Sequence, residues 1–315
     1  MSGVISKATR ESFGMAVSEL AKTNKDVVVL DADLAAATKT SIFQKAFPDR
    51  FIDCGIAECN MMGVAAGLAT CGKIPFAASF AMFSTGRAFE QVRNSIGYPK
   101  LNVKIIGSHA GISVGEDGAT HQCCEDIALM KTIPGMVVLN PADHYEMIEA
   151  VKAAAEHKGP VYIRLGRLAI DSFNDPDNYR FELGKGITLH EGGDITVIAT
   201  GLAVSEALKA VRELESQGIQ ARLINIHTIK PIDRDIIIKA AKETGKIVTV
   251  EEHNVIGGLG SAVAEVLAEQ RPTPLERVGV KDHFGQVGKA PYLMGVFGIT
   301  AADIAKAARK AIARK

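Results

Sequence analysis

At 315 residues the chain is longer than a single hydrophobic core usually grows, which predicts about two globular domains. Hydrophobic residues make up 47% and charged ones 23%, and Lys+Arg and Asp+Glu balance at 36 each. That balance excludes the electrostatic footprint of a nucleic-acid binder and any strong pull towards an anionic membrane.

The N-terminal stretch MSGVISKATRESFGMAV carries charges every few residues and has no apolar leader segment. No apolar run approaches the roughly 20 residues of a membrane span. Helix spacing over Glu11 to Lys22 puts Phe13, Val17, Leu20 and Ala21 on one face. Strands are predicted at Val27 to Leu30, Val103 to Ile106, Val137 to Leu139 and Val161 to Leu165, with an amphipathic helix over Ala142 to His157. Asn60 to Thr70 is too apolar for a surface helix and is rich in Gly and Ala, as a buried or subunit-facing helix would be. This alternation predicts an α/β fold with a mainly parallel sheet.

From Asp171 to Gly193 the chain turns polar and rich in turn residues. A second parallel-sheet α/β unit follows. Its strands are expected at Ile195 to Ala199, Ala221 to Ile226, Ile247 to Val250 and Glu276 to Val280, and its helices at Val204 to Gln217, Arg234 to Glu243, Ser261 to Glu269 and Ala301 to Ala313. The expected organisation is therefore domain 1–170, linker 171–193 and domain 194–315.

Two places carry chemistry. Glu58 stands in the apolar segment GIAECNMMGVAAGLA, where a carboxyl needs a specific partner or must stay protonated. It reads either as a cap of the helix beginning near Asn60 or as a group bonding a buried ligand, and the apolar enclosure predicts a raised pKa. The loop GEDGATHQ, Gly115 to Gln122, has glycines that permit positive φ and would let Asp117 and His121 point into a crevice. The five cysteines are odd in number and lack the spacing of a zinc site or a disulfide framework, which suits a reducing cytoplasm. A zinc reading of His109, His121, Cys123 and Cys124 is weak, since adjacent cysteines serve one tetrahedral site poorly. GGLGS, Gly257 to Ser261, reads as a tight strand-to-helix turn, with an anion site as the alternative. The sequence has no phosphate-cradling glycine loop, and half an active site, completed by another chain, is the reading.

The order GIAE, apolar Gly/Ala helix, SFAMF, SHAGISVGEDGATHQ and PVYIRLGR resembles that of transketolases over essentially the whole chain. The resemblance is to the pyrimidine-binding domain and the Rossmann-like C-terminal domain of a thiamine-diphosphate transketolase, without that family's diphosphate-binding domain. It implies the C-terminal subunit of a split, cytoplasmic enzyme of pentose phosphate chemistry, working with an N-terminal partner that holds Mg²⁺ and the diphosphate, two copies of each. Self-association through Met61 to Leu68 is also expected.

By the resemblance, Glu58 matches the glutamate that bonds N1′ of the aminopyrimidine and promotes its imino tautomer. Phe80 and Phe83 match the aromatics around that ring, although around Gly86 the spacing is one residue longer than in many transketolases. His109 and His121 match histidines that bond the sugar and move hydroxyl protons, a role suited to titration near neutrality. Asp117 matches an acid reading a donor hydroxyl, and Arg10 and Arg167 match phosphate-binding arginines. Asp33 matches an acid near the cofactor, or is a turn residue ending the strand from Val27. Ala37 stands where a phosphate-binding serine is often found. The role of His253, near the domain interface, is open. The implied reaction is transfer of a two-carbon ketol unit from a ketose phosphate to an aldose phosphate. The alternatives are a β-subunit of a 2-oxoacid dehydrogenase and a non-catalytic supporting subunit.

Overall fold

The computed structural model describes residues 5–314. The first half supplies strands β1 (Ser6–Ala8), β2 (Val27–Asp31), β3 (Phe51–Asp53), β4 (Ile74–Phe80), β5 (Lys104–Ser108), β6 (Val137–Leu139), β7 (Val161–Arg164) and β8 (Ala169–Asp171). The second supplies β9 (Ile187–His190), β10 (Ile195–Ala199), β11 (Ala221–Asn225), β12 (Thr228–Lys230), β13 (Ile247–Asn254) and β14 (Leu275–Val280). β2 and β10 are buried along their whole length, as strands covered by helices on both faces must be.

One sheet runs β12-β6-β7-β5-β4-β2-β3 and another β14-β13-β10-β11-β9, while β1 and β8 form a short antiparallel pair. Within the larger sheets only the edge strands β12 and β9 pair antiparallel. This is the α/β architecture of two parallel-sheet units expected from the alternation of elements. Within 171–193, Ile187–His190 forms β9, an edge strand of the second sheet.

β4, central in the first sheet, is missing from the strands read from sequence. Its segment IPFAASF has one β-branched residue and an early proline, so propensity hides it, and pairing with β2 and β5 makes it a strand. The helix Glu58–Thr70 starts two residues before Asn60 and makes no side-chain cap, so Glu58 is not the expected cap. One face of this helix, with Met61, Met62 and Ala65, is buried, and the opposite face exposes Gly63 and Gly67.

The two units are joined by polar contacts as well as apolar ones. β12 of the second unit extends the first sheet beside β6. Asp126 accepts from Arg164 Nε and Tyr162 Oη at 2.7 Å each, and Arg164 Nη2 also donates to the carbonyl of Glu252 at 2.8 Å. Burial raises the proton affinity of Asp126, but the Arg164 guanidinium outweighs it and holds the carboxyl below its ordinary range. Removing one partner leaves a buried charge uncompensated, so Asp126→Ala is expected to cost about 3–5 kcal/mol. Chemical denaturation of the purified chain checks this. A loss below about 1 kcal/mol would show that the pair is dispensable for joining the units.

Candidate active site

Glu58 opens its helix with only 2% of its surface exposed. The sequence suggests an apolar enclosure, but the fold brings a cation: Arg87 Nη1 lies 2.8 Å from Oε2, and Ser79 Oγ lies 3.4 Å from Oε1. Ser79 and Phe80 end β4, and the chain then turns through a π-helical segment, Met82–Arg87. A π turn is the usual way a helix absorbs one extra residue, in keeping with the longer spacing expected around Gly86. It sets the Arg87 guanidinium 4.5 Å from the Phe83 ring centre. The rings of Phe80 and Phe83 are nearly parallel, 10° apart in tilt, with centres separated by 6.2 Å.

His109 follows β5 on left-handed backbone, φ 57°, and stacks on Phe80 with centres 4.0 Å apart. Arg10, from the helix Thr9–Thr23, lies 2.9 Å from Nε2. An arginine only donates, so Nε2 accepts, and Nδ1 carries the proton and donates to Ser108 Oγ at 2.8 Å. Burial, then the charges of Arg10, Arg167 and Lys39, push its pKa down to about 3. The expectation of titration near neutrality is therefore corrected for His109, which is held neutral. His121 sits edge-on to both rings, 5.3 Å from Phe83 and 6.1 Å from Phe80, and its Nδ1 is 2.9 Å from Thr120 Oγ1. Positive φ at Gly115 (85°) and Gly118 (75°) lets the loop fold back to this position.

Arg10 Nη1 also donates to the carbonyl of Ala37 at 2.9 Å, while its buried Nε has no partner among the described residues. Arg167 donates to the carbonyl of Val114 and faces Glu116 and Asp117 at 3.7 and 3.8 Å. Asp117 is on the exposed rim. Thr38, next to Ala37, spends its hydroxyl on Asp31 at 2.7 Å. Asp33 stands apart from this group: it is exposed, has φ 61°, and its backbone N–H donates to Asp53, which favours the turn reading. Arg87, Lys39 and Ser79 were not singled out in the sequence.

The second unit buttresses the loop. Glu252 accepts from the Ser113 N–H, a Cβ at Gly111 would lie 2.4 Å from its carboxyl, and Gln122 Nε2 donates to the carbonyl of Gln286 at 2.9 Å. His253 lies at the domain interface, where Nδ1 donates to the Asn254 carbonyl and Nε2 faces the Ala128 N–H. The GGLGS turn offers no anion site, because the Glu251 carboxylate already takes the Leu259 and Gly260 N–H groups at 2.7 and 2.8 Å. Among the described residues no cluster of three or more His, Cys, Asp or Glu is placed to hold a metal ion.

The family model of the transketolase pyrimidine-binding domain matches residues 6–171, and that of the transketolase C-terminal domain matches 184–304. A chain of Methanocaldococcus jannaschii described as a transketolase C-terminal section is 51% identical over 97% of this chain and 96% of its own length. The 6-deoxy-6-sulfo-D-fructose transketolase subunit SqwH of Clostridium sp. (strain MSTE9) is 48% identical over 97% of this chain and 95% of its own. Among solved structures, a split-gene transketolase described as an inactive β4 tetramer superposes with a TM-score of 0.91 at 54% identity, covering 97% of this chain and 98% of that one.

Because the folded chain binds a proton at His109 only near pH 3 and the unfolded chain near 6.5, acidification through that window favours unfolding at this residue. Its contribution is complete above about pH 6.5 and is lost as the pH falls. Nitrogen-15 NMR of labelled histidine is expected to show His109 neutral and protonated on Nδ1 at pH 5. Arg10→Met should raise its pKa by removing the neighbouring charge. A His109 signal already half-protonated at pH 6 in the unaltered chain would contradict the hydrogen-bond pattern.

Proposed function

The chain belongs to the transketolase family, and from that premise we propose that it forms half of a thiamine-diphosphate site, moving a two-carbon ketol unit from a ketose phosphate to an aldose phosphate. The observation that carries the reading is a buried carboxylate, Glu58, beside the parallel rings of Phe80 and Phe83. These residues fit an aminopyrimidine, which presents a ring nitrogen to a carboxyl and a face to an aromatic ring. The diphosphate and Mg²⁺ fall to an N-terminal partner chain, in two copies of each subunit in the cytoplasm. The β4 tetramer described for a relative supports self-association of this chain as well. We take residues 1–170 as the pyrimidine-binding unit and 194–315 as the C-terminal unit.

When bound, thiamine diphosphate supplies the electron sink that lets the carbon–carbon bond beside the ketose carbonyl break and re-form on an aldose. Glu58 holds a proton at the pyrimidine ring nitrogen. Phe80 and Phe83 orient the ring and exclude water from it. His109 keeps the lone pair of Nε2 free for a hydroxyl proton once Arg10 turns to substrate, and His121 serves the same hydroxyl edge. Asp117 reads a donor hydroxyl from the rim, and Asp33 is left a peripheral place near the cofactor.

Arg10, with its unpartnered Nε, together with Lys39 and Arg167, forms a cationic end suited to a terminal oxyanion. The relative named for a sulfonated fructose supports an anion of that kind, phosphate or sulfonate, and leaves pentose phosphates as one choice of sugar.

The decisive assay mixes this chain with its partner, thiamine diphosphate, Mg²⁺, xylulose 5-phosphate and ribose 5-phosphate. Transfer is expected only with both chains, to fall at least about a hundredfold in Glu58→Ala, and to show a KM about tenfold higher in Arg10→Met. Turnover of a 2-oxo acid without ketol transfer would move the assignment to a 2-oxoacid dehydrogenase β-subunit. Silence on both, with the cofactor bound, would leave a supporting role.

A further inference from the structure

We propose that Arg87 is a latch over the cofactor site, closed in the free subunit and opened when an aminopyrimidine displaces it; this rests on the reading of the Glu58 site above. Two separate contacts put Arg87 on residues that this reading assigns to the pyrimidine. Its Nη1 takes Glu58 Oε2 at 2.8 Å, and its guanidinium covers Phe83 at 4.5 Å from the ring centre. One side chain thus engages both the carboxylate and one of the aromatic rings that this reading gives to the cofactor.

The latch is built to open. Glu58 is buried to 2% exposure, whereas the Arg87 side chain is half exposed, so releasing Arg87 returns a cation to water while Glu58 stays in place. A carboxylate as enclosed as Glu58 would be costly to leave unpaired, and Arg87 satisfies it until a ligand does. The π-helical turn Met82–Arg87 aligns the two contacts, because it brings Arg87 over Phe83 within one irregular turn. Arg87 is a positioning residue, and its effect is on cofactor affinity.

Such a latch competes with the cofactor, so removing it tightens binding. Loss of a merely structural contact does the opposite, and the sign of the change separates the two. Calorimetric titration of thiamine diphosphate with Mg²⁺ into the assembled two-chain complex is the test. Arg87→Ala is expected to bind about five- to thirtyfold more tightly, the worth of one half-exposed ion pair plus one cation–π contact. Arg87→Lys, which keeps the charge but loses the planar stack, should fall between. If Arg87→Ala fails to assemble, Arg87→Gln keeps the stem and is read the same way. Equal or weaker binding in the substituted complexes overturns the latch. Failure of the unaltered complex to bind the cofactor at all overturns the reading of the site itself.

Discussion

Parallel pairing of β4 with β5 sets Phe80 directly opposite Ser108, and the candidate site grows from that register. With Phe80 at the end of one strand and His109 one residue past the end of its neighbour, the left-handed backbone at His109 re-aims its ring onto Phe80, and the two stack at 4.0 Å. β2 lies on the other side of β4 and delivers the loop that carries Ala37 and Lys39 to the same edge. Parallel strands bring all their carboxyl ends to one side, so residues far apart in sequence converge there without long loops. A one-residue slip of β4 would turn Phe80 to the other face of the sheet and break the stack with His109.

Convergence alone would leave the loop from His109 to Gln122 loose, because its glycines supply freedom rather than shape. The second unit removes that freedom. Glu252 and the Gln286 carbonyl hold the loop at both ends, and Arg164 ties the Glu252 carbonyl to Asp126 of the first unit. Burying these charged groups is costly, and a hydrophobic interface of the same size would bind as well or better. The polar network instead gives directional contacts that admit one placement of the loop. Glu251, next in the chain, is spent on the N-terminus of the following helix, which explains why the GGLGS turn is structural.

The alternation of strands and helices was legible because parallel sheets bury continuous apolar runs, and Val27–Asp31 or Ile195–Ala199 announce themselves. β4 did not, since its alanines and proline carry little strand propensity. Within the site, Glu58 and His121 stood out by local context, and the phenylalanines only through the family resemblance. Arg87 did not: an arginine on a helix reads as surface charge, and only the π turn, itself hinted at by one surplus residue, aims it at Glu58. The neutral state of His109 was hidden for a related reason. Its two partners are its own neighbour Ser108 and Arg10, which is nearly a hundred positions earlier in the chain.

A site divided between chains must solve a problem that an undivided one does not. On the proposed function, this chain carries half of a cofactor pocket, in which a buried carboxylate and aromatic rings await a ligand. Leaving Glu58 buried and unpaired would cost more than a half-exposed arginine recovers from full hydration, so the free subunit gains by folding Arg87 inward. The same contact then opposes the ligand it stands in for. The Glu58–Arg87 contact of the free chain and the affinity for the cofactor are therefore linked through one side chain: a change that strengthens this contact weakens cofactor binding.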